Sequence, residues 1–267
     1  AHISLLDTRE IGRDEQLDYQ RDMRPLVRNG VSIEQAAAQF KREKLDDPSR
    51  SMLGAEQETW LTRDLARSKA RGQIWQILAQ QVVFSQQIAS TGLSRLLPAN
   101  ASPTNWFATS EQMRQYDLPW NLDAWDGYPA ARARLKASLV ANANNAIIIG
   151  GDSHNAWVYN SPAAGGARLA AIEFAGGSIS SPGFERSLTN AAPGERERVI
   201  QSGDPNLVFS DFTNRGYGAL KLTHTTCEAE WRAVSDIRER TRGPVRATKF
   251  VSQASATAGP GTWTMGA

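Results

Sequence analysis

Residues 146–157 read Ala-Ile-Ile-Ile-Gly-Gly-Asp-Ser-His-Asn-Ala-Trp, and they restrict the fold more than any other stretch of the chain. Three consecutive isoleucines branch at Cβ, which favours extended backbone, and they put apolar side chains on both faces of a strand. Such a strand needs a cover on each side, so it belongs inside a layered fold. The glycines that follow allow a sharp turn and the close approach of another segment. Asp152 and His154 then leave the strand end two positions apart. A carboxylate and an imidazole so placed suit a metal ion, because both donors serve divalent and trivalent cations. The same residues also fit a plainer arrangement, an Asp capping a turn and a His satisfied in the core.

With 267 residues, the chain has length for one domain with a substantial core or for two small ones. Its 40% hydrophobic and 22% charged content is that of an ordinary globular protein. The net charge is only +2 and basic residues are interspersed with acids, so no nucleic-acid-binding surface is evident. Cys227 is the only cysteine, which excludes an intrachain disulfide and a thiolate metal cluster. No apolar run is long enough for a membrane span. The chain opens Ala-His-Ile-Ser-Leu-Leu, without an initiating Met or a signal-peptide pattern. A strand-like start at residue 1 sets the expectation of further sequence upstream.

Along the chain, residues 1–6 read as a buried strand through Ile3, Leu5 and Leu6. Residues 10–50 are polar and loop-like, with a helix over 32–44 capped by Ser32. A second helix over 54–70 carries Trp60, Leu61 and Leu65 at helical spacing, with Glu56 and Glu58 near its positive end. Residues 74–84 read as a strand. Residues 98–125 form a loop or lid insertion, pinned to the core by Trp106, Trp120 and Trp125. Pro129 starts a helix to about Asn142, with Leu135, Leu139 and Val140 inward, and this helix feeds the isoleucine strand. Alternation around 170–174, 206–209 and 218–222 reads as antiparallel strands of a second sheet. The main domain thus covers 1–242, and the Gly-, Ser-, Ala- and Thr-rich tail, 243–267, reads as loosely held.

Ligand counting limits the metal reading. The histidines are His2, His154 and His224, whereas a two-metal hydrolase site draws on several His and carboxylate ligands. Asp7 and Asp126 are further candidates, although Asp7-Thr8-Arg9 also reads as a turn with an internal ion pair. His224, in Thr-His-Thr-Thr, reads as part of a solvent-facing strand, and His2 lies too near the terminus to weigh. The sequence therefore holds half of a metal site.

Six blocks, in order, carry a resemblance: Leu-Leu-Asp-Thr-Arg (5–9), Met-Leu-Gly-x-Glu-Gln-x-x-Trp-Leu (52–61), Trp-x-Ile-Leu-x-Gln-Gln-Val-Val-Phe (75–84), Asp-x-Trp-Asp-Gly-Tyr-Pro-x-x-Arg (123–132), Gly-Gly-Asp-Ser-His-x-x-Trp (150–157) and Arg-Gly-Tyr (215–217). Together they resemble PhoD-type alkaline phosphatases and phosphodiesterases over nearly the whole chain. The resemblance implies an α/β (α+β) fold, the metallophosphatase β-sandwich flanked by helices, of which this chain is the C-terminal half. It implies hydrolysis of phosphate mono- or diesters at a centre of Fe3+ and Ca2+, with Asp152 on calcium and His154 on iron. Asn155 and Trp157 become candidates to support these ligands from behind. The remaining ligands would come from an N-terminal half, in the same precursor or a separate chain, which is also expected to supply sheet neighbours for Ile3–Leu6 and Ile147–Ile149. The resemblance also implies a periplasmic or secreted enzyme. Tyr128 and Arg132, in the fourth block, read as packing and helix-initiation residues.

Two other readings compete. A half-enzyme can be a non-catalytic segment that completes another chain's fold. Gly-Asp-Ser also resembles the Gly-Asp-Ser-Leu esterases, with Ser153 as nucleophile. Those enzymes take their base from an Asp-x-x-His, and here Lys221 stands where that Asp should precede His224.

Overall fold

A computed structural model describes residues 1–102, 105–234, 236–238 and 246–266. In chain order the elements are β1 (His2–Leu5), α1 (Tyr19–Asp22), α2 (Arg24–Arg28), α3 (Ile33–Phe40), α4 (Gly54–Ala70), β2 (Trp75–Ala79), α5 (Trp106–Arg114), α6 (Pro129–Asn142), β3 (Asn145–Gly150), β4 (Ala156–Pro162), β5 (Leu169–Ala175), α7 (Glu195–Gly203), β6 (Leu207–Asp211), β7 (Arg215–Leu222), β8 (Thr226–Val234), β9 (Arg246–Gln253) and β10 (Thr264–Met265). Six strands form one sheet in the order β1-β2-β3-β5-β4-β6, and four form a second in the order β10-β9-β8-β7. In the first sheet β1, β2, β3 and β5 run parallel, while β4 is antiparallel to both β5 and β6. The second sheet is antiparallel throughout.

The isoleucine strand is interior, as its composition requires. Ile147 faces the second sheet, in one cluster with Ile172, Trp231 and Phe250, and the half-buried Ile149 packs against that cluster. Ile148 faces the opposite way, against Leu65 of α4 and Leu139 of α6. The result is a β-sandwich with helices against the outer face of its larger sheet. Helix α4 runs over the expected residues, with Leu61 and Leu65 buried and Trp60 left exposed on its outer side. Helix α6 begins at Pro129 as expected, and Leu135 and Leu139 form its inner face while Val140 is only half-buried. Ser32 caps α3 by accepting from the Gln35 amide at 3.3 Å. Trp120 and Trp125 are buried, and α5 lies within the 98–125 insertion, of which 103–104 are outside the described residues.

Several expectations are corrected. Ile3 and Leu5 are 59% and 75% exposed, because β1 lies at the sheet edge, outside the cluster formed with the second sheet. The opposite side of β1 is covered: Ser4 is buried and donates to Asp64 of α4 at 2.8 Å. Ile147–Ile149 need no neighbours from outside, since β2 and β5 pair with β3 on its two sides. The segments at 170–174 and 206–209 belong to the first sheet, not the second. The strand read over 74–84 ends at Ala79, and the chain then turns across the strand ends. The tail is not loose: β9 pairs with β8 along eight residues, and Phe250 and Trp263 are buried in the sandwich. Residues 243–245 and 267 of that tail lie outside the described residues.

Burial of Phe250 makes the tail part of the core. Phe250→Ala is therefore expected to lower the unfolding free energy by about 3–5 kcal/mol, the usual range for a large aromatic lost from a core. A urea titration tests this, and an unchanged midpoint would show the tail to be dispensable.

Candidate functional site

Parallel strands β1, β2 and β3 deliver their C-terminal ends to one edge of the sheet, where ligands of open α/β sheets collect. Three connections meet there. The Gly151 amide donates to the Gln81 carbonyl at 2.9 Å, and the Gln81 side chain accepts from the Thr8 amide at 2.8 Å. Gly150 is required by this crossing, since a Cβ there would lie 2.7 Å from the Val82 carbonyl oxygen.

Beyond Gly151 the backbone leaves ordinary space. Asp152 has φ 67° and His154 has φ 61°, and among the described residues the only other non-glycine with positive φ is Asp117. The Ser153 amide donates to Gly151 O at 2.7 Å, closing a γ-turn centred on Asp152. The segment that carries both candidate ligands is thus a tight turn rather than a continuation of the strand. Backbone strain of this kind costs on the order of 1–3 kcal/mol per residue and persists only where surrounding contacts hold it.

Those contacts are specific. Asp152 Oδ1 lies 2.6 Å from Nη2 of Arg9, whose Nη1 donates to Asp123 at 2.8 Å. His154 Nδ1 lies 3.1 Å from the Pro182 carbonyl oxygen. A carbonyl only accepts, so Nδ1 carries the proton, and in the neutral ring Nε2 keeps its lone pair. No contact of Nε2 is seen among the described residues. Ser153 turns the other way, its Oγ accepting from the Trp157 indole N–H at 2.7 Å. Asn155 is buried and its Oδ1 accepts from the Phe184 amide at 3.0 Å. Trp157 is buried among Phe212, Phe184 and Trp120, with ring centroids 4.8, 5.8 and 6.3 Å away. Both residues nominated as supports therefore touch the turn or the segment that receives His154.

The other candidates are engaged elsewhere. Asp7 caps a turn by accepting from the amides of Arg9, Glu10 and Ile11, and these bonds hold its carboxyl below the ordinary range. The internal Asp7–Arg9 ion pair does not form; Arg9 turns to Asp123 and Asp152 instead. Asp126 is buried against Arg132 and accepts from the Gln87 amide at 2.8 Å. His2 sits at the opposite end of the sheet on Asp64, at 2.6 Å. His224 is exposed in the turn between β7 and β8, not on a strand, and has no contact with Ser153. Tyr128 precedes α6 and is buried, accepting from Arg13 at 3.0 Å and donating to Asp14 O at 2.8 Å.

A carboxylate oxygen and an imidazole with a free Nε2 suit a hard or intermediate metal. Among the described residues, however, no group of three or more His, Cys, Asp or Glu side chains is placed to hold one. The donor pair fits part of a metal's ligand set. Sequence reading missed Arg9 and Asp123 as neighbours of Asp152, although both lie in quoted blocks. It missed Pro182 entirely, because that residue acts through its backbone carbonyl.

A model of the PhoD-like phosphatase family matches residues 1–231. The chain is 27% identical over 245 residues to alkaline phosphatase D of Bacillus subtilis (strain 168), a match covering 90% of this chain and 33% of that protein. A solved structure of PhoD is similar in fold, with a TM-score of 0.62 at 23% identity, covering 99% of this chain and 41% of that one. The chain thus spans about a third of the length of the curated relative it matches.

Two outcomes follow from the geometry. Ser153→Ala removes the acceptor of a buried indole N–H and is expected to cost about 1–3 kcal/mol of stability, read from a urea midpoint; no change would mean that the bond is not formed in solution. For Asp123, burial pushes the carboxyl up, but the hydrogen bonds and charges of Arg9 and Arg13 outweigh it and hold the group below its ordinary range. The folded value is depressed, so its contribution is full above roughly pH 4 and is lost as the pH falls through that lower value. Asp123→Asn should therefore flatten the loss of stability below about pH 4, and an acid titration with an unchanged slope would refute it.

Proposed function

The chain belongs to the PhoD-like phosphatase family, and we propose that it forms part of a metal-dependent hydrolase of phosphate mono- or diesters. The observation that carries this reading is the pair of left-handed residues, Asp152 and His154, presenting a carboxylate and an imidazole at the edge where three parallel strands end. Strained backbone of this kind gathers at functional sites. Asp152 and His154 are the residues that would hold metal, calcium on Asp152 and iron on His154 as the family resemblance implies.

Bound metal ions would supply charge to polarise the phosphoryl group and an activated water at neutral pH. The chain's own residues set the stage for this chemistry. Pro182 O fixes the His154 ring with Nε2 outward, and Arg9 orients the Asp152 carboxylate while linking it to Asp123. Ser153 and Asn155 hold the turn between the two ligands. The Ser153 hydroxyl is occupied by Trp157 and meets no imidazole, which removes the support for a serine nucleophile.

The remaining ligands are assigned to a further segment, in the same precursor or in a second chain. Two observations support this: among the described residues only a pair of donors gathers here, and the relative is about three times as long. The uncovered Ile3 and Leu5 on edge strand β1 give such a segment a place to pack. They also favour the second reading, in which the chain completes a partner's fold without a catalytic role of its own. A periplasmic or secreted location is proposed from the resemblance. Among the described residues no helix is long and apolar enough to cross a membrane.

His154→Ala or Asp152→Ala in the whole enzyme is expected to remove metal and lower kcat/KM at least on the order of a thousandfold, ~4 kcal/mol of transition-state stabilisation. The 267-residue chain alone is expected to hydrolyse no chromogenic phosphate ester with added calcium and iron, and to do so once the further segment is supplied. A His154→Ala enzyme with native iron content and full turnover would sink the assignment.

A further inference from the structure

The Arg-Gly-Tyr block at 215–217 lies on β7, far along the chain from Asp152 and His154, and nothing in the proposed chemistry yet uses it. Arg215 is buried, and its guanidinium donates to Thr213 O and Asn214 O at 3.0 Å each and pairs with Glu185. The other oxygen of Glu185 accepts from the Gly183 amide at 2.9 Å. That amide and the Pro182 carbonyl are the two ends of one peptide group, and the carbonyl accepts from His154 Nδ1 at 3.1 Å.

We propose that Glu185, anchored by Arg215, is a positioning residue for His154 that acts through the Pro182–Gly183 peptide. A peptide group is planar, so fixing its N–H direction fixes its C=O direction. A carboxylate on the N–H also polarises the carbonyl and strengthens the bond that it accepts. Metal-binding histidines characteristically donate their second N–H to a carboxylate or a carbonyl, which sets the tautomer and the basicity of the ligating nitrogen. Here the carboxylate acts one peptide removed. Two further bonds hold the same segment: Phe184 N to Asn155 and Gly216 N to Ser178 O, the latter at 3.0 Å. Gly216 is required, since a Cβ there would lie 1.9 Å from Arg232 O. Arg215 and Gly216 thus clamp both flanks of the segment that faces His154.

The inference rests on the metal reading for its purpose but not for its geometry, and its test separates the two. In the metal-free whole enzyme, with the further segment present, 15N spectra of labelled histidine, taken well above the histidine pKa range, report which ring nitrogen carries the proton. His154→Ala assigns the signal. Wild type is expected to show the Nδ1–H tautomer, and Glu185→Ala a mixture of both. Iron affinity should fall about 10–100-fold in Glu185→Ala, the usual effect of losing such a support, with partial recovery in Glu185→Gln, whose side-chain carbonyl can still accept from Gly183. If Glu185→Ala does not fold by its thermal melt, Arg215→Lys is read in the same two ways. A shifted tautomer in a protein whose wild type binds no iron would leave the positioning role standing and remove the metal reading. An unshifted tautomer with iron affinity within about twofold of wild type would overturn the proposal.

Discussion

Everything at the candidate site depends on β3 being covered on both faces and paired on both edges. Ile148 needs the helices and Ile147 needs the second sheet. Neither cover alone makes a strand of this composition stable, because each exposed Ile would forgo roughly 1.5–3 kcal/mol of burial. With both covers and both ladders in place, the strand end is fixed on all sides. Gly150 therefore arrives beneath the Val82 carbonyl at a set position, and the turn that follows has a rigid base.

That rigidity is what permits the strain beyond it. Two left-handed residues cost on the order of 2–6 kcal/mol together. Opposing this are a charged contact from Arg9 to Asp152 and neutral bonds to Ser153 and His154. A solvent-screened ion pair contributes ~0.2–1 kcal/mol and a neutral hydrogen bond ~0.5–1.5. The two sums are comparable, so the turn holds only while its partners on 9, 157 and 182 stay in place.

The legible parts of the fold were those with local causes. Pro129, Ser32 and the spacing of Leu61 and Leu65 mark helices by chemistry within a turn or two, and these helices stand where expected. Sheet membership was not legible, because alternation says that a strand has a dry face and not which sheet supplies it; β5 and β6 read as strands of the second sheet and lie in the first. Exposure of Ile3 and Leu5 was likewise hidden, since an edge strand and an interior one can share a sequence pattern. At the site, Asp152 and His154 could be nominated from one motif, but what surrounds them could not. Arg9 is 143 residues away from Asp152 in sequence, and Pro182 contributes a backbone atom that no side-chain pattern advertises.

The scarcity of candidate ligands among the described residues also has a structural cause. Loops at the strand ends leave backbone amides without ladder partners, and buried amides need acceptors. In this chain carboxylates fill that need. Asp7 takes the amides of Arg9, Glu10 and Ile11, and Glu185 takes that of Gly183. Glu173, buried in β5, accepts from Phe84 and Ser85 at 2.8 and 2.7 Å, and burial raises its carboxyl even though these bonds oppose the shift. Asp126 holds the Gln87 amide and Arg132, while Asp123 holds Arg9 and Arg13. Each of these acids shapes a connection around the site and is thereby committed to it. Asp152 differs from Asp7, Glu185 and Glu173, because its partner is the Arg9 side chain rather than backbone, and 44% of its side chain faces solvent. An acid tied to amides cannot turn to a cation without unmaking a loop, whereas Asp152 need only release Arg9. Among the described residues, the carboxylates that build these connections are thereby occupied, whereas the candidate donors Asp152 and His154 keep exposed side chains.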